Sequence, residues 1–163
     1  MIDLDKALKF LEHFSLVTVA NNKVPNFSWK KNQSEKLSSN EFTERYTYKG
    51  GKEWVDKDGV IHEIKPTENF GIICGFDDLE VIDIDLKVFS TAKEQVDFWA
   101  EYIGYLEANI LDFYEKFVVY KTMNAGYHII YKSKRKEGNL KLAKLKGHKE
   151  AVIETRGIGG YVF

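Results

Sequence analysis

Val81-Ile82-Asp83-Ile84-Asp85-Leu86 constrains the fold of this chain more than any other stretch. Its apolar, β-branched residues read as a buried strand, yet two aspartates stand inside it, one residue apart. Strand side chains alternate, so Asp83 and Asp85 share one face while Ile82, Ile84 and Leu86 share the other. A fold that uses this strand must bury one face and give the other a reason to hold two carboxylates. Neighbouring carboxylates repel, and burial strips their hydration as well. A hard divalent cation such as magnesium takes oxygen ligands and would remove both penalties. A solvated strand edge would do the same, and an isolated Asp-x-Asp fits that reading equally well.

The surrounding pattern alternates short strands with a few helices. Leu4, Ala7, Leu8, Leu11 and Phe14 recur at helical spacing from Asp3 to Phe14, and Leu16 to Ala20 reads as a strand. Ser38 and Glu41 form a capping box for a short helix through Tyr46. Residues 46–63 carry turn signals at Gly50-Gly51 and Asp58-Gly59 and read as a loop or small hairpin. Phe70 to Cys74 and Leu79 to Asp85 read as a strand, a turn and a returning strand. Ser90 or Thr91, the latter with Glu94 three residues on, caps a helix whose Val96, Trp99, Tyr102, Ile103, Leu106 and Ile110 form a core face. A second hairpin runs from Phe117 to Lys132 about the turn at Met123-Asn124-Ala125-Gly126, and Ala151 to Thr155 and Tyr161-Val162-Phe163 are further strands. An α+β domain with a mainly antiparallel sheet and flanking helices is expected over residues 1–163.

Composition bounds the function classes. With 44% hydrophobic and 30% charged residues in 163, the chain has a globular composition and no apolar run near the roughly 20 residues of a membrane span. Met1-Ile2-Asp3-Leu4-Asp5 is acidic rather than signal-like, and Cys74 is the only cysteine, which excludes a disulfide framework and a cysteine-built zinc site. A cytoplasmic protein without a membrane partner is expected. Net charge is −1, so a uniformly basic nucleic-acid binder is excluded. The charge is uneven, however: Lys132, Lys134, Arg135, Lys136, Lys141, Lys144, Lys146 and Lys149 are opposed only by Glu137 between residues 132 and 149. That run suits a phosphate backbone, or is the solvated face of a loop and helix.

Two later strands carry polar residues of their own. His128 alternates with Tyr127 and Ile129 directly after a glycine turn, and Glu154 shares a strand face with Val152 and Arg156. Taken singly, His128 reads as a structural histidine, and Glu154 with Arg156 as an internal ion pair.

Their order matters more than any one of them. Val81-Ile82-Asp83-Ile84-Asp85, then Gly126-Tyr127-His128, then Val152-Ile153-Glu154 followed by Arg156-Gly157-Ile158-Gly159-Gly160-Tyr161, resembles the primase-polymerase family of the archaeo-eukaryotic primase superfamily. The likeness covers roughly residues 69–163, with a fainter upstream trace at Lys23-Val24-Pro25 and Trp29. Two departures stand out: Ala125 replaces a glycine usual before the tyrosine and histidine, and Ile158 stands where an aspartate is common. The chain stops at Phe163, before the helices that complete such domains, so a fragment of a longer replication protein or a minimal version is expected.

The resemblance implies an RRM-like catalytic core and a DNA primase or polymerase of a phage, plasmid or other mobile element. It implies that Asp83, Asp85 and Glu154 hold two magnesium or manganese ions. His128 and Arg156, and more weakly Lys132, would contact the phosphates of a nucleoside triphosphate. DNA template and primer are the implied partners, with a fused or associated helicase. Trp29 and Tyr131, read as exposed aromatics, and the basic run are candidate template contacts. A metal-dependent nuclease using the same carboxylates with His128 as general base stays open, as does a non-catalytic replication-initiation module that binds DNA.

Overall fold

The computed structural model describes residues 3–55, 57–135 and 138–163. Lys136 and Glu137 of the basic run, and Met1 and Ile2 of the acidic N-terminus, lie outside the described residues. The elements are α1 (Leu4–His13), β1 (Leu16–Val19), α2 (Ser39–Tyr46), β2 (Glu53–Val55), β3 (Ile61–Glu63), β4 (Asn69–Ile73), β5 (Leu79–Ile84), α3 (Ala92–Asn109), α4 (Phe113–Lys116), β6 (Val118–Lys121), β7 (Tyr127–Lys132), β8 (Lys141–Ala143), β9 (Ile153–Arg156) and β10 (Tyr161–Val162). The fold is α+β, and every strand pair is antiparallel. Among the described residues no helix is long and apolar enough to cross a membrane.

The chain divides into two compact units. The first contains residues up to Phe76 together with Tyr161–Phe163. Its three-stranded sheet has the order β1-β4-β10. Asp3 caps α1, and α2 begins in the Ser38–Glu41 capping box expected from sequence. The buried Phe42 and Tyr46 of α2 pack their rings against Phe70 of β4. Among the described residues, strands β2 and β3 pair only with each other.

The second unit, Asp77–Gly160, is built on a five-stranded sheet of order β6-β7-β5-β9-β8. Strand β5 is therefore central, and the solvated-edge alternative for its aspartates does not apply. One sheet face carries the hydrophobic core. Ile84, Ile129, Val152 and Ile153 are buried there with Leu86, Val88 and Phe113, beneath Trp99, Tyr102, Ile103 and Leu106 of α3. Trp99 stacks flat on Tyr127. No residue of α3 is fully buried, and Val96, expected in its core face, is 65% exposed because the helix presents it away from the cluster.

Two expectations need correction. Strands β4 and β5 do not form a hairpin. Both edges of β4 are taken by β1 and β10, and both edges of β5 by β7 and β9, so neither has a free edge for the other. The connection, with Gly75, Asp77 and Asp78 all in the left-handed region, is not a simple hairpin turn. The basic run, in turn, contains no helix among its described residues. It contributes the edge strand β8, which pairs with β9 through an irregular register between Lys141 and Ala143.

Candidate functional site

The site follows from strand register. Asp83 of β5 lies directly opposite His128 of β7 on one side and Glu154 of β9 on the other. His128 in turn opposes Tyr120 of β6, and Glu154 opposes Lys141 of β8. One rung thus carries Tyr120, His128, Asp83, Glu154 and Lys141 across all five strands, on the face away from α3. Side chains directly opposed in this way have Cβ atoms about 5 Å apart, and like charges so placed repel. Asp83 and Glu154 therefore need a positive charge between them.

Arg156 supplies it. Two residues beyond Glu154 on the same face, its Nε and Nη2 each donate to Asp83 Oδ2 at 3.3 Å, and Nη2 also donates to Glu154 Oε1. On the other side of Asp83, His128 Nε2 lies 3.4 Å from Oδ1. The second ring nitrogen of His128, Nδ1, meets the Tyr120 hydroxyl. Asp83 and Glu154 are about one-fifth exposed and His128 is buried, so the cluster is wet at the carboxylates and dry behind the imidazole.

Burial pushes the Asp83 carboxyl up, but the hydrogen bond and charge of His128, and then those of Arg156, outweigh burial and hold it below the ordinary value of 3.8. A carboxyl depressed in the folded state contributes stability that is present above its unfolded pKa and lost as pH falls through the lower folded value. Asp83 is thus expected to titrate below 3.8, and the Arg156→Gln variant to move that midpoint upward, both readable from the carboxyl carbon shift by NMR.

The glycine turn that delivers His128 is under a close steric constraint. A Cβ on Gly126 would lie 2.4 Å from the Ile84 carbonyl oxygen and 3.1 Å from Thr122 Oγ1, which itself accepts from the Gly126 amide. Only glycine lets β7 enter the sheet this close to β5. The preceding Ala125 adopts φ 57°, the left-handed conformation that costs a residue with a Cβ about 1 kcal/mol or more. The alanine thus keeps the turn that a glycine would form at lower cost. Ala125→Gly is expected to stabilise the protein by about 0.5–1 kcal/mol, a rise of roughly 1–4 °C in Tm by thermal unfolding.

Other sequence-predicted residues lie apart from the cluster. Asp85 is on the acid face just past the end of β5, but its Oδ1 accepts from the Lys87 amide at 3.1 Å and its Oδ2 pairs with Lys87 Nζ at 2.8 Å. Lys132 sits four residues along β7 from His128, roughly 13 Å away, and pairs with Asp77. Trp29 and Tyr131 are not the exposed aromatics expected. Trp29 packs edge-on against Tyr161, while Tyr131 donates its hydroxyl to Glu80 and meets the Phe117 ring, so both are half-buried. Sequence reading missed Tyr120, and named Lys141 only as a member of the basic run, not as the neighbour of Glu154. Tyr120 was findable, because a hairpin closed at Thr122–Gly126 sets it across from His128; Lys141 was not, because nothing local marks β8.

Among the described residues no group of three or more His, Cys, Asp or Glu side chains is arranged to hold a metal ion. The donor chemistry nonetheless fits a hard divalent cation at Asp83 and Glu154. Two carboxylates on adjacent strands already share one cation, the Arg156 guanidinium, and an ion entering between them has to displace it. Asp85 joins that set only by giving up Lys87. No known family model matches the chain, and no curated protein matches it.

Proposed function

We propose that the chain is a nucleotidyltransferase of the primase-polymerase type, adding nucleotides to a 3′-hydroxyl on a DNA template, with the five-stranded sheet of the second unit as an RRM-like core. One observation carries this reading: Asp83, His128 and Glu154, separated by 45 and 26 positions in sequence, fall on a single rung of β7, β5 and β9 with Arg156 beside them. The three short motifs thus share one place as well as one order.

Asp83 and Glu154 would hold magnesium or manganese, and Asp85, on the same face, would complete a second position. Bound there, such ions would supply Lewis-acid chemistry, lowering the pKa of an attacking hydroxyl and neutralising charge on pyrophosphate. The protein's own part is positioning and electrostatics, which dominate phosphoryl transfer. With Nδ1 engaged by Tyr120, His128 presents Nε2 to the carboxylate side of the rung, where it would donate to a phosphate oxygen. Arg156 would hold a second phosphate oxygen through its planar fork. The site opens at its carboxylates, so the triphosphate would approach from that side.

Extension and cleavage separate this reading from the nuclease alternative, which uses the same carboxylates. A labelled primer–template incubated with Mn²⁺ and deoxynucleoside triphosphates is expected to lengthen. Shortening of the primer, independent of added nucleotide, would overturn the proposal in favour of hydrolysis.

A further inference from the structure

We propose that the β8 edge of the five-stranded sheet is a track for the phosphodiester backbone of single-stranded DNA. Its lysines would be Lys141 of β8, opposite Glu154 of the Asp83–Glu154 rung, and Lys144, Lys146 and Lys149 of the connection that joins β8 to β9. The inference rests on reading that rung as a nucleotidyl-transfer site. Strand β8 is outermost in the order β6-β7-β5-β9-β8, so among the described residues its outer side has no strand neighbour. Lys141 stands opposite Glu154 and therefore on the site face. The only acids in residues 138–163 are Glu150 and Glu154, and both are engaged, by Lys87 and by Arg156. Among the described residues none of the four lysines has a carboxylate partner, in contrast to Lys132 and Lys87, and all four are exposed.

Four exposed lysines without carboxylate partners, the first opposite Glu154, suit the phosphates of a single strand. Lysine contacts phosphate as a point charge and carries no planar fork for bases, so binding here is electrostatic and indifferent to sequence. Each lysine that neutralises a phosphate of a single strand steepens the salt dependence of log affinity by about 0.7. The bland role for edge lysines is to stop the sheet pairing with a second copy.

The test uses the full chain with Lys144→Glu/Lys146→Glu, and Lys6→Glu/Lys9→Glu on the exposed face of α1 as the charge-matched control. The probe is fluorescein-labelled (dT)20, followed by anisotropy across a salt series in EDTA, so that neither metal nor nucleotide takes part. The expected result is a loss of about tenfold or more for the first pair with a salt slope shallower by about 1.4, and no change for the control. Wild-type affinity for (dT)20 shared by both variants overturns the proposal, as does a wild-type chain that binds no (dT)20. Self-association of Lys144→Glu/Lys146→Glu with oligonucleotide binding intact assigns the lysines to edge protection and also overturns it. Tighter binding to phosphatidylserine vesicles than to (dT)20 overturns it in favour of a membrane surface. A parallel titration with a deoxynucleoside triphosphate and Mn²⁺ reads the rung alone. Failure there with the oligonucleotide result intact removes the nucleotidyl-transfer reading and leaves the track.

Discussion

Asp83→Asn is expected to reduce templated nucleotide incorporation by at least about 10²-fold while the protein stays folded. Asparagine keeps the shape of the side chain and removes its charge, at the residue that faces both His128 and Arg156. Arg156 keeps Glu154 and His128 keeps Tyr120, so neither is left without a partner. The stability loss should therefore stay near about 1–2 kcal/mol, below the 3–5 kcal/mol typical of an ion pair broken in a fully buried site. Primer extension and urea unfolding measured on the same preparation separate the two effects. Lys132→Ala is the control within the same strand: four residues from His128 and paired to Asp77, it should leave incorporation near wild type. Incorporation unchanged by Asp83→Asn would mean that the rung does not carry the chemistry.

Gly126→Ala is expected to cause the largest structural effect. The added Cβ would stand 2.4 Å from a backbone carbonyl, that of Ile84, and a carbonyl inside a hydrogen-bonded ladder cannot swing aside as a side chain can. Strand β7 has to move off β5, or the turn has to reopen. Overpacking of this kind costs about 1–3 kcal/mol, a fall of roughly 2–12 °C in Tm. The displacement also reaches His128, two residues on, so incorporation should fall by more than the unfolded fraction explains. The same turn then yields opposite signs at adjacent positions, with Ala125→Gly stabilising and Gly126→Ala destabilising. Gly126→Ala melting with the wild type would contradict the close approach of the two strands.

What the sequence disclosed was mainly local. The Ser38–Glu41 capping box is present in the structure, and of Ser90 and Thr91 it is Thr91 that caps α3 with Glu94, because a cap is decided within four residues. The β6–β7 hairpin was legible for the same reason, its turn lying between two alternating runs. Strand partners were less legible. A period of two says which face a residue occupies and nothing about its neighbour, so β4 and β5 read as a hairpin although each had other strands to pair with.

The site shows the same division. The shared face of Asp83 with Asp85, and the polar side chains at His128 and Glu154, follow from alternation. That His128 and Glu154 flank Asp83 depends on a register that sequence alone does not fix. Arg156 and Glu154 do form the internal ion pair read from their spacing, but the pair extends to Asp83, a partner 73 residues away. Asp85 went unanticipated in the other direction. Its engagement with Lys87 depends on the short 3-10 turn at Leu86–Val88, where the chain leaves the strand and a carboxylate can cap the exposed amide. The aromatic readings at Trp29 and Tyr131 failed because burial of a lone aromatic is set by tertiary packing rather than by local pattern.

Asp83 and Glu154 are proposed to form a cation site for a nucleotide, with Arg156 holding it closed until the cation arrives. Crystals grown with Mn²⁺ and a non-hydrolysable deoxynucleoside triphosphate test this directly through the anomalous scattering of manganese. An anomalous peak is expected between the Asp83 and Glu154 carboxylates, with the Arg156 guanidinium moved onto a phosphate oxygen. Arg156 still bridging both carboxylates, with no manganese beside them and nucleotide bound elsewhere or not at all, would contradict it.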